Sequence, residues 1–315
     1  MFNAEEFIDE CILSIINQNY KNWELLIVND NSIDNSQLYV KKYLSDSRIK
    51  IFNNISKISG PSICRNIGIS KATGEYIIFL DSDDYLFKNA LANRIHYIQQ
   101  NPHLDFVVFQ IVTKGLDNER LTTHSSNNYL NDFLSGQHRW VVSAPIWKKE
   151  TIIKLNGFNE DLNQLEDPEL HCRALLEDFS YEVLCSNEPD GVYRKFKEKS
   201  VSIQKLIAGY VTFIINNYNT IINRNELSNL LNAVLQGRKS AINSIFKFTY
   251  NINYKEKIRL IKYIKQLNLF FRNNNHISFL TDHLSIIFLS LFLAINFPKD
   301  SRIRWIAQKF NNKIL

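Results

Sequence analysis

The sequence predicts an α/β fold in which a mostly parallel sheet carries helices on both faces, followed by an α-helical C-terminal region. Three observations predict it. Short apolar runs alternate with helical patterns through the first half of the chain, which is how parallel strands joined by crossover helices read in sequence. Two of those runs end in Asp-bearing turns, at Asn29-Asp30-Asn31-Ser32 and at Asp81-Ser82-Asp83-Asp84. From Ile203 onward the strand signal gives way to amphipathic helical spacing, with Ile203, Leu206, Ile207, Tyr210, Ile214, Tyr218 and Ile221 on one face.

The elements follow in order. Glu24 to Val28 is an apolar run ending at the Asn29–Ser32 turn, a buried strand. Ile49 to Phe52 is a second short strand. Pro61 to Lys71 reads as a helix, with Pro61 in the first turn after Ser59-Gly60. Glu75 to Leu80 is a third strand, stopped by Asp81. Leu86 to Gln100 is helical and ends before Pro102, and Asp105 to Val112 is a fourth strand. Residues 114–140 are polar and irregular, either a loop near the site or a plain surface connection. Pro168 fits the first turn of a helix running to Asp178. Ligands of such sheets bind at the carboxyl ends of the strands, so both Asp-bearing turns fall where chemistry is expected.

The charge is divided unevenly. The 315 residues carry a net charge of +5. Residues 1–202 hold 21 Lys/Arg and 28 Asp/Glu, net −7; residues 203–315 hold 16 and 4, net +12. The split predicts two regions with different partners, 1–202 and 203–315. With 45% hydrophobic and 12% aromatic residues, the composition excludes a disordered or collagen-like chain. Cys11, Cys64, Cys172 and Cys185 form no CxxC pair, so they read as buried thiols in a reducing compartment. The polar, acidic start MFNAEEF does not read as a secretory signal, and none is expected. The longest apolar run, Leu284 to Phe297, is short of the ~20 residues a membrane span needs.

Four motifs occur in order: Asn29-Asp30-Asn31-Ser32-Ile33-Asp34, Ser59-Gly60-Pro61-Ser62-Ile63-Cys64-Arg65-Asn66, Asp81-Ser82-Asp83-Asp84 and Glu166-Asp167-Pro168-Glu169-Leu170. Each is common by itself, a capped turn or a carboxylate-rich helix start. Their order, spacing and strand-end placement together resemble glycosyltransferase family 2, whose members have the Rossmann-like GT-A fold. Phe2-Asn3-Ala4-Glu5 resembles the family's opening segment. Ser14 to Tyr20 resembles its Ser-Ile-x-x-Gln-x-Tyr helix end, Gly157-Phe158 the Gly-x-Phe segment, and Tyr193-Arg194 with Ser200-Val201-Ser202 the close of the catalytic domain. The resemblance runs from Phe2 to about Ser202.

That resemblance implies an inverting transferase moving a sugar from a nucleoside-diphosphate donor, usually a UDP-sugar. The leaving diphosphate is anionic, and Mn²⁺ or Mg²⁺ on carboxylate oxygens would neutralise it. The resemblance puts the metal ligand at Asp83 and donor contacts at Asp81 and Ser82, with Asp84 either a further ligand or a helix cap. It puts Asp30, Arg65, Phe2 and Asn3 around the nucleotide, with Asp30 accepting from the uracil ring. Asp167 is the expected general base. An ordinary Asp, with a pKa of about 3.9, is a feeble base, and burial beside Glu166 would raise it. The acidic pair also has the plain reading of a helix start rich in carboxylates.

Two departures from the pattern stand out. The apolar strand that opens the family is missing before Met1-Phe2-Asn3, which suggests either a misassigned start or a truncated, non-catalytic relative acting as a binding or assembly partner. Phe196 stands where many members carry a His. A metal-dependent nucleotidyltransferase is a further alternative, disfavoured by the lack of a Gly-rich phosphate loop. In the basic region, Ile303, Ile306, Phe310 and Ile314 share a helical face beside Lys299, Arg302, Arg304, Lys309 and Lys313. That pattern fits either peripheral contact with the inner face of the cytoplasmic membrane or a helical appendage packed on the enzyme. No nucleic-acid motif accompanies the basic charge. The expected acceptor is a glycan or a lipid-linked sugar in surface-polysaccharide synthesis, handled in the cytoplasm.

Overall fold

The first helix follows from spacing. Ile8, Cys11, Ile12 and Ile15 recur three and four residues apart, and α1 (Ile8–Ile16) buries that face. The computed structural model describes residues 1–195, except 116–118, 163, 178, 186 and 187, together with Phe213. The chain divides into two compact units, Met1–Tyr129 with His138–Lys199, and Leu130–Gln137 with Ser200–Leu315. The expectations for residues 203–315, and those for Phe196 and Ser200 to Ser202, lie outside the described residues, Phe213 apart.

In the first unit, β1 (Leu25–Asn29) and β2 (Ile49–Asn53) pair in parallel, joined through α2 (Ser36–Lys41). Ala4, Ile8, Ile12, Ile27, Val40 and Ile49 bury themselves between these elements. Burying the Ile and Val side chains among them contributes about 1.5–3 kcal/mol each. Met1 lies along the edge of β1 away from β2: its amino group donates to the Val28 carbonyl (2.9 Å), and its carbonyl accepts from the Asp30 N–H (2.9 Å). After β2 comes α3 (Pro61–Lys71), with Pro61 at its first position.

Among the described residues, two four-stranded sheets accompany the β1–β2 pair. One has the order β3 (Tyr76–Ile77), β8 (Pro145–Lys148), β5 (Phe106–Val108), β9 (Tyr181–Val183). The other runs β4 (Tyr85–Leu86), β10 (Gly191–Arg194), β6 (Val112–Lys114), β7 (Glu119–Leu121). Helices α4 (Ala90–Gln100), α5 (Tyr129–Leu134), α6 (Lys149–Lys154) and α7 (Glu166–Leu176) lie between strands in sequence. The α/β expectation holds, and the pairing is mixed. β1–β2, β5–β9 and β6–β10 are parallel, while β3–β8, β5–β8, β4–β10 and β6–β7 are antiparallel. The reason is local: β7 returns beside β6 with no crossover helix, and β8 inserts between β3 and β5 in the reverse sense.

The segment 114–140, expected to be irregular, carries β7 and α5, and three expected elements change their bounds by more than a residue or two. The run 105–112 divides into β5 and β6, which belong to different sheets. The expected helix 86–100 starts at Ala90, because Tyr85–Leu86 pairs with β10. The expected strand 75–80 keeps ladder pairing at Tyr76 and Ile77, while Ile78 and Leu80 pack against the apolar cluster of Ile15, Leu86, Ala90 and Leu91. A buried ion pair ties the sheets' surroundings together. Arg94 on α4 is fully buried and grips Asp190 through Nε and Nη2 (2.7 and 2.6 Å), while its Nη1 donates to the Ser143 carbonyl (2.8 Å).

Candidate active site

The chain leaves β3 through Ile78–Leu80 and turns at Asp81–Asp84, closed by the Asp84 N–H donating to the Asp81 carbonyl (3.0 Å). The Cys11 thiol donates to that same carbonyl (3.6 Å), which anchors the turn on α1. Carboxylate oxygens of Asp81, Asp83 and Asp84 lie within 4.8 Å of one another. Charges held this close disfavour ionisation. Burial, and then the Asp81 charge, raise the Asp83 carboxyl above its ordinary range. The same causes push Asp84 up to about 9. Asp84 Oδ1 accepts from the Arg194 N–H (2.8 Å), and its Oδ2 is buried with no hydrogen-bond partner among the described residues. Crowded carboxyl oxygens with one orphaned buried oxygen suit a hard divalent cation such as Mg²⁺ or Mn²⁺, whose charge would offset the repulsion among them. Ser82 sits half-buried in the turn.

Arg65, on α3, joins this turn to the second acidic motif. Its Nη2 donates to Asp81 Oδ1 (2.7 Å) and its Nη1 to Glu166 Oε1 (2.8 Å). The guanidinium also lies 5.1 Å from the centroid of the Phe158 ring. Glu166 and Asp167 open α7, where carboxylates complement the helix dipole. Glu166 is 9% exposed. Burial, and then the Glu166 charge, raise the Asp167 carboxyl to about 8, with Arg65 opposing them. The Tyr193 phenol is pushed upward by burial and by the Asp84, Asp81, Asp167 and Asp83 charges.

The loop under Arg65 is held from two sides. Asn66 pairs with the Phe158 backbone, accepting its N–H at 2.8 Å and donating to its carbonyl at 2.9 Å. Arg173 on α7 binds Glu169 through Nε and Nη2 (both 2.9 Å) and the Gly157 carbonyl through Nη2 (2.7 Å). Gly157 has φ +65°, and a Cβ there would meet Asn66 Oδ1 at 2.5 Å, so this position requires glycine.

Asp30, Asn3 and Phe2 gather at the end of β1. Asp30 is buried, and its carboxylate accepts from Asn54 Nδ2 (2.7 Å), Ser59 Oγ (2.6 Å) and the Gly60 N–H (2.9 Å). It thereby fixes the segment leading into α3, the helix that carries Arg65. Asn3 donates its N–H to Ser32 Oγ (3.1 Å) and accepts from the Ile33 N–H (3.0 Å). Phe2 is 59% exposed. The structure thus brings Arg65, Asp81, Glu166 and Asp167 together around shared charges, and sets Asp30 and Asn3 in a separate hydrogen-bonded group at the end of β1, where Asp30 holds Ser59 and Gly60 just before the N-terminus of α3. Sequence reasoning gave no site role to Arg194, Glu10, Asn54 or Ser59. The Tyr193-Arg194 pair at a strand end was the available signal for Arg194; their partners lie far off in sequence for the others.

Comparison with known proteins adds three findings. A model of the family described as glycosyl transferase family 2 matches residues 1–172. The UDP-Glc:alpha-D-GlcNAc-diphosphoundecaprenol beta-1,3-glucosyltransferase WfgD of Escherichia coli is 41% identical over 100 residues, covering 32% of this chain and 39% of that protein. The minor teichoic acid biosynthesis protein GgaA of Bacillus subtilis is 27% identical over 222 residues, 65% of this chain and 48% of that protein. The chain thus spans under half the length of these two curated relatives. The crystal structure of Staphylococcus aureus TarS 1-349 in complex with UDP-GlcNAc aligns with a TM-score of 0.66 at 18% identity, over 99% of this chain and 90% of that one. That likeness is one of fold, the GT-A fold.

Proposed function

Because the chain belongs to glycosyl transferase family 2, we propose that it is an inverting, metal-assisted glycosyltransferase that takes its sugar from a nucleoside-diphosphate donor, a UDP-sugar by preference. The observation that carries this reading is the Arg65 bridge. It sets the acidic turn and the acidic pair on either side of one guanidinium, so a donor-side group and a candidate base share one site.

The residues divide the work as follows. Asp83, with Asp81 and Asp84 beside it, would hold Mn²⁺ or Mg²⁺. Such an ion supplies Lewis-acid stabilisation of the leaving diphosphate, worth several kcal/mol. Ser82 lies in the same turn and contacts the donor. Arg65 keeps the two acidic groups from repelling each other and offers a cation to the donor phosphates. Asp30 and Asn3 shape the nucleotide end, with Phe2 exposed beside it for contact with the base. Asp167 takes the proton from the acceptor hydroxyl at its carboxylate as that oxygen attacks the anomeric carbon. Glu166 keeps the Asp167 pKa high enough for that task.

The acceptor is read as a glycan or a lipid-linked sugar of surface-polysaccharide synthesis. WfgD acts on a diphosphoundecaprenol-linked sugar and GgaA takes part in teichoic acid synthesis by their names. The net charge of +12 in residues 203–315 favours an anionic surface, such as the inner face of the cytoplasmic membrane, as the place of contact. No helix among the described residues is long and apolar enough to cross a membrane.

A thermal-shift screen of UDP-sugars with Mn²⁺ tests the donor assignment, and the expected result is stabilisation by one sugar class. Asp83→Ala is expected to lower Mn²⁺-dependent donor hydrolysis about 10²-fold or more. Equal hydrolysis by wild type and variant contradicts the metal assignment.

A further inference from the structure

We infer that Arg194 is a positioning residue for the acidic turn: it holds the Asp83 carbonyl and the Asp84 carboxylate and so aims the Asp83 carboxylate. The inference rests on the metal-assisted reading proposed above. Three sets of contacts carry it. The antiparallel register Gly191↔Leu86 and Val192↔Tyr85, continued along β10, brings Arg194 opposite Asp83. The Arg194 main-chain N–H then donates to Asp84 Oδ1 (2.8 Å), and its Nη1 donates to the Asp83 carbonyl (2.6 Å). Its Nη2 binds Glu10 on α1.

The guanidinium is also enclosed by rings. It lies 5.3 Å from the Phe7 ring centroid and 4.7 Å from that of Tyr85, and the side chain is 12% exposed. A planar cation between aromatic faces has few other positions to adopt.

The choice of acceptor atom matters. A guanidinium bound to the Asp83 carboxylate would compete with a divalent ion for the same oxygens. Arg194 binds the carbonyl of that residue instead, and pairs its charge with Glu10. Its positive charge thus eases the repulsion among Asp81, Asp83 and Asp84 while the Asp83 carboxylate stays out of the ion pair. Lysine keeps the charge but has no fork to serve the carbonyl and Glu10 together, and no plane to lie between Phe7 and Tyr85.

Direct Mn²⁺ binding tests this, with the metal as the only probe. Electron paramagnetic resonance of free Mn²⁺ gives the affinity of the full-length chain without donor, and thermal unfolding runs in parallel. Arg194→Lys is expected to bind Mn²⁺ about 10–100-fold more weakly than wild type, with little change in the unfolding temperature. Glu10→Gln, which leaves the Asp83 carbonyl contact in place, is expected to retain most of the affinity. If Arg194→Lys folds poorly, Arg194→Gln carries the same expectation, since it keeps an N–H donor without the fork or the charge. Equal Mn²⁺ affinity in wild type and the Arg194 variants overturns the inference and leaves the metal reading standing. A wild-type chain that binds no Mn²⁺ overturns both.

Discussion

Asp167→Asn is expected to lower the sugar-transfer rate about 10²–10⁴-fold, the contribution typical of a positioned general base. Amide and carboxylate are nearly isosteric, so the loss tests proton abstraction and leaves shape almost unaltered. Donor binding, read by thermal shift with UDP-sugar and Mn²⁺, should change little, because the proposed donor-side groups, Asp81, Asp83 and Arg65, are left intact. Transfer by the variant at wild-type rate would remove Asp167 from the chemistry. The physical basis is the raised carboxyl, near 8 through burial and the Glu166 charge. Below that pH the group is protonated and cannot accept the acceptor's proton. The same shift bears on stability. In the unfolded chain this carboxyl ionises near the ordinary Asp value, so its contribution is present at low pH and is lost as pH rises through about 8.

The second large effect concerns folding. Asp190→Ala is expected to destabilise the first unit by about 3–5 kcal/mol, the usual result of removing one partner from a buried ion pair. Arg94 is wholly buried and its Nε and Nη2 both donate to Asp190, so the variant leaves an uncompensated cation in the core. For a unit of this size the unfolding temperature should fall by about 6–20 °C. Thermal unfolding followed by tryptophan fluorescence checks it, since Trp140 and Trp147 are buried in the same unit. The double variant Arg94→Met/Asp190→Leu should recover most of the loss, because apolar groups of similar volume carry no desolvation cost. A shift of less than 2 °C in Asp190→Ala would show that the pair contributes little.

The parts of the site that were legible in sequence are those whose partners are close in the chain. Asp81, Asp83 and Asp84 announce themselves as carboxylates crowded after an apolar run, and Glu166-Asp167 as an acidic pair opening a helix. Their meeting through Arg65 was not legible, because Arg65 lies 101 residues from Glu166 and nothing local marks the pair. Arg194 shows the same limit, at 111 residues from Asp83 and 184 from Glu10. The run from Asp105 to Val112 shows another. Its apolar character, interrupted after Asp105 only by Gln110, hides the passage from one sheet to the next at Phe109–Ile111, since buried residues on either side of such a crossing read alike. The buried Gln110, whose carbonyl accepts the Asp190 N–H (3.0 Å), marks the place. The mixed pairing was equally invisible, because strand direction is set by topology, while the alternation of apolar and polar runs is the same for parallel and antiparallel neighbours.

The central claim is that Asp167 acts as a base whose strength is set by Glu166 and Arg65. The pH dependence of transfer in wild type and Glu166→Gln tests it most directly. Wild-type activity should rise with pH through a midpoint near 8. Glu166→Gln takes away the neighbouring negative charge that raises Asp167, so its midpoint should fall by about one unit or more. Coincident midpoints in the two proteins, or a rate independent of pH across that range, would contradict the assignment.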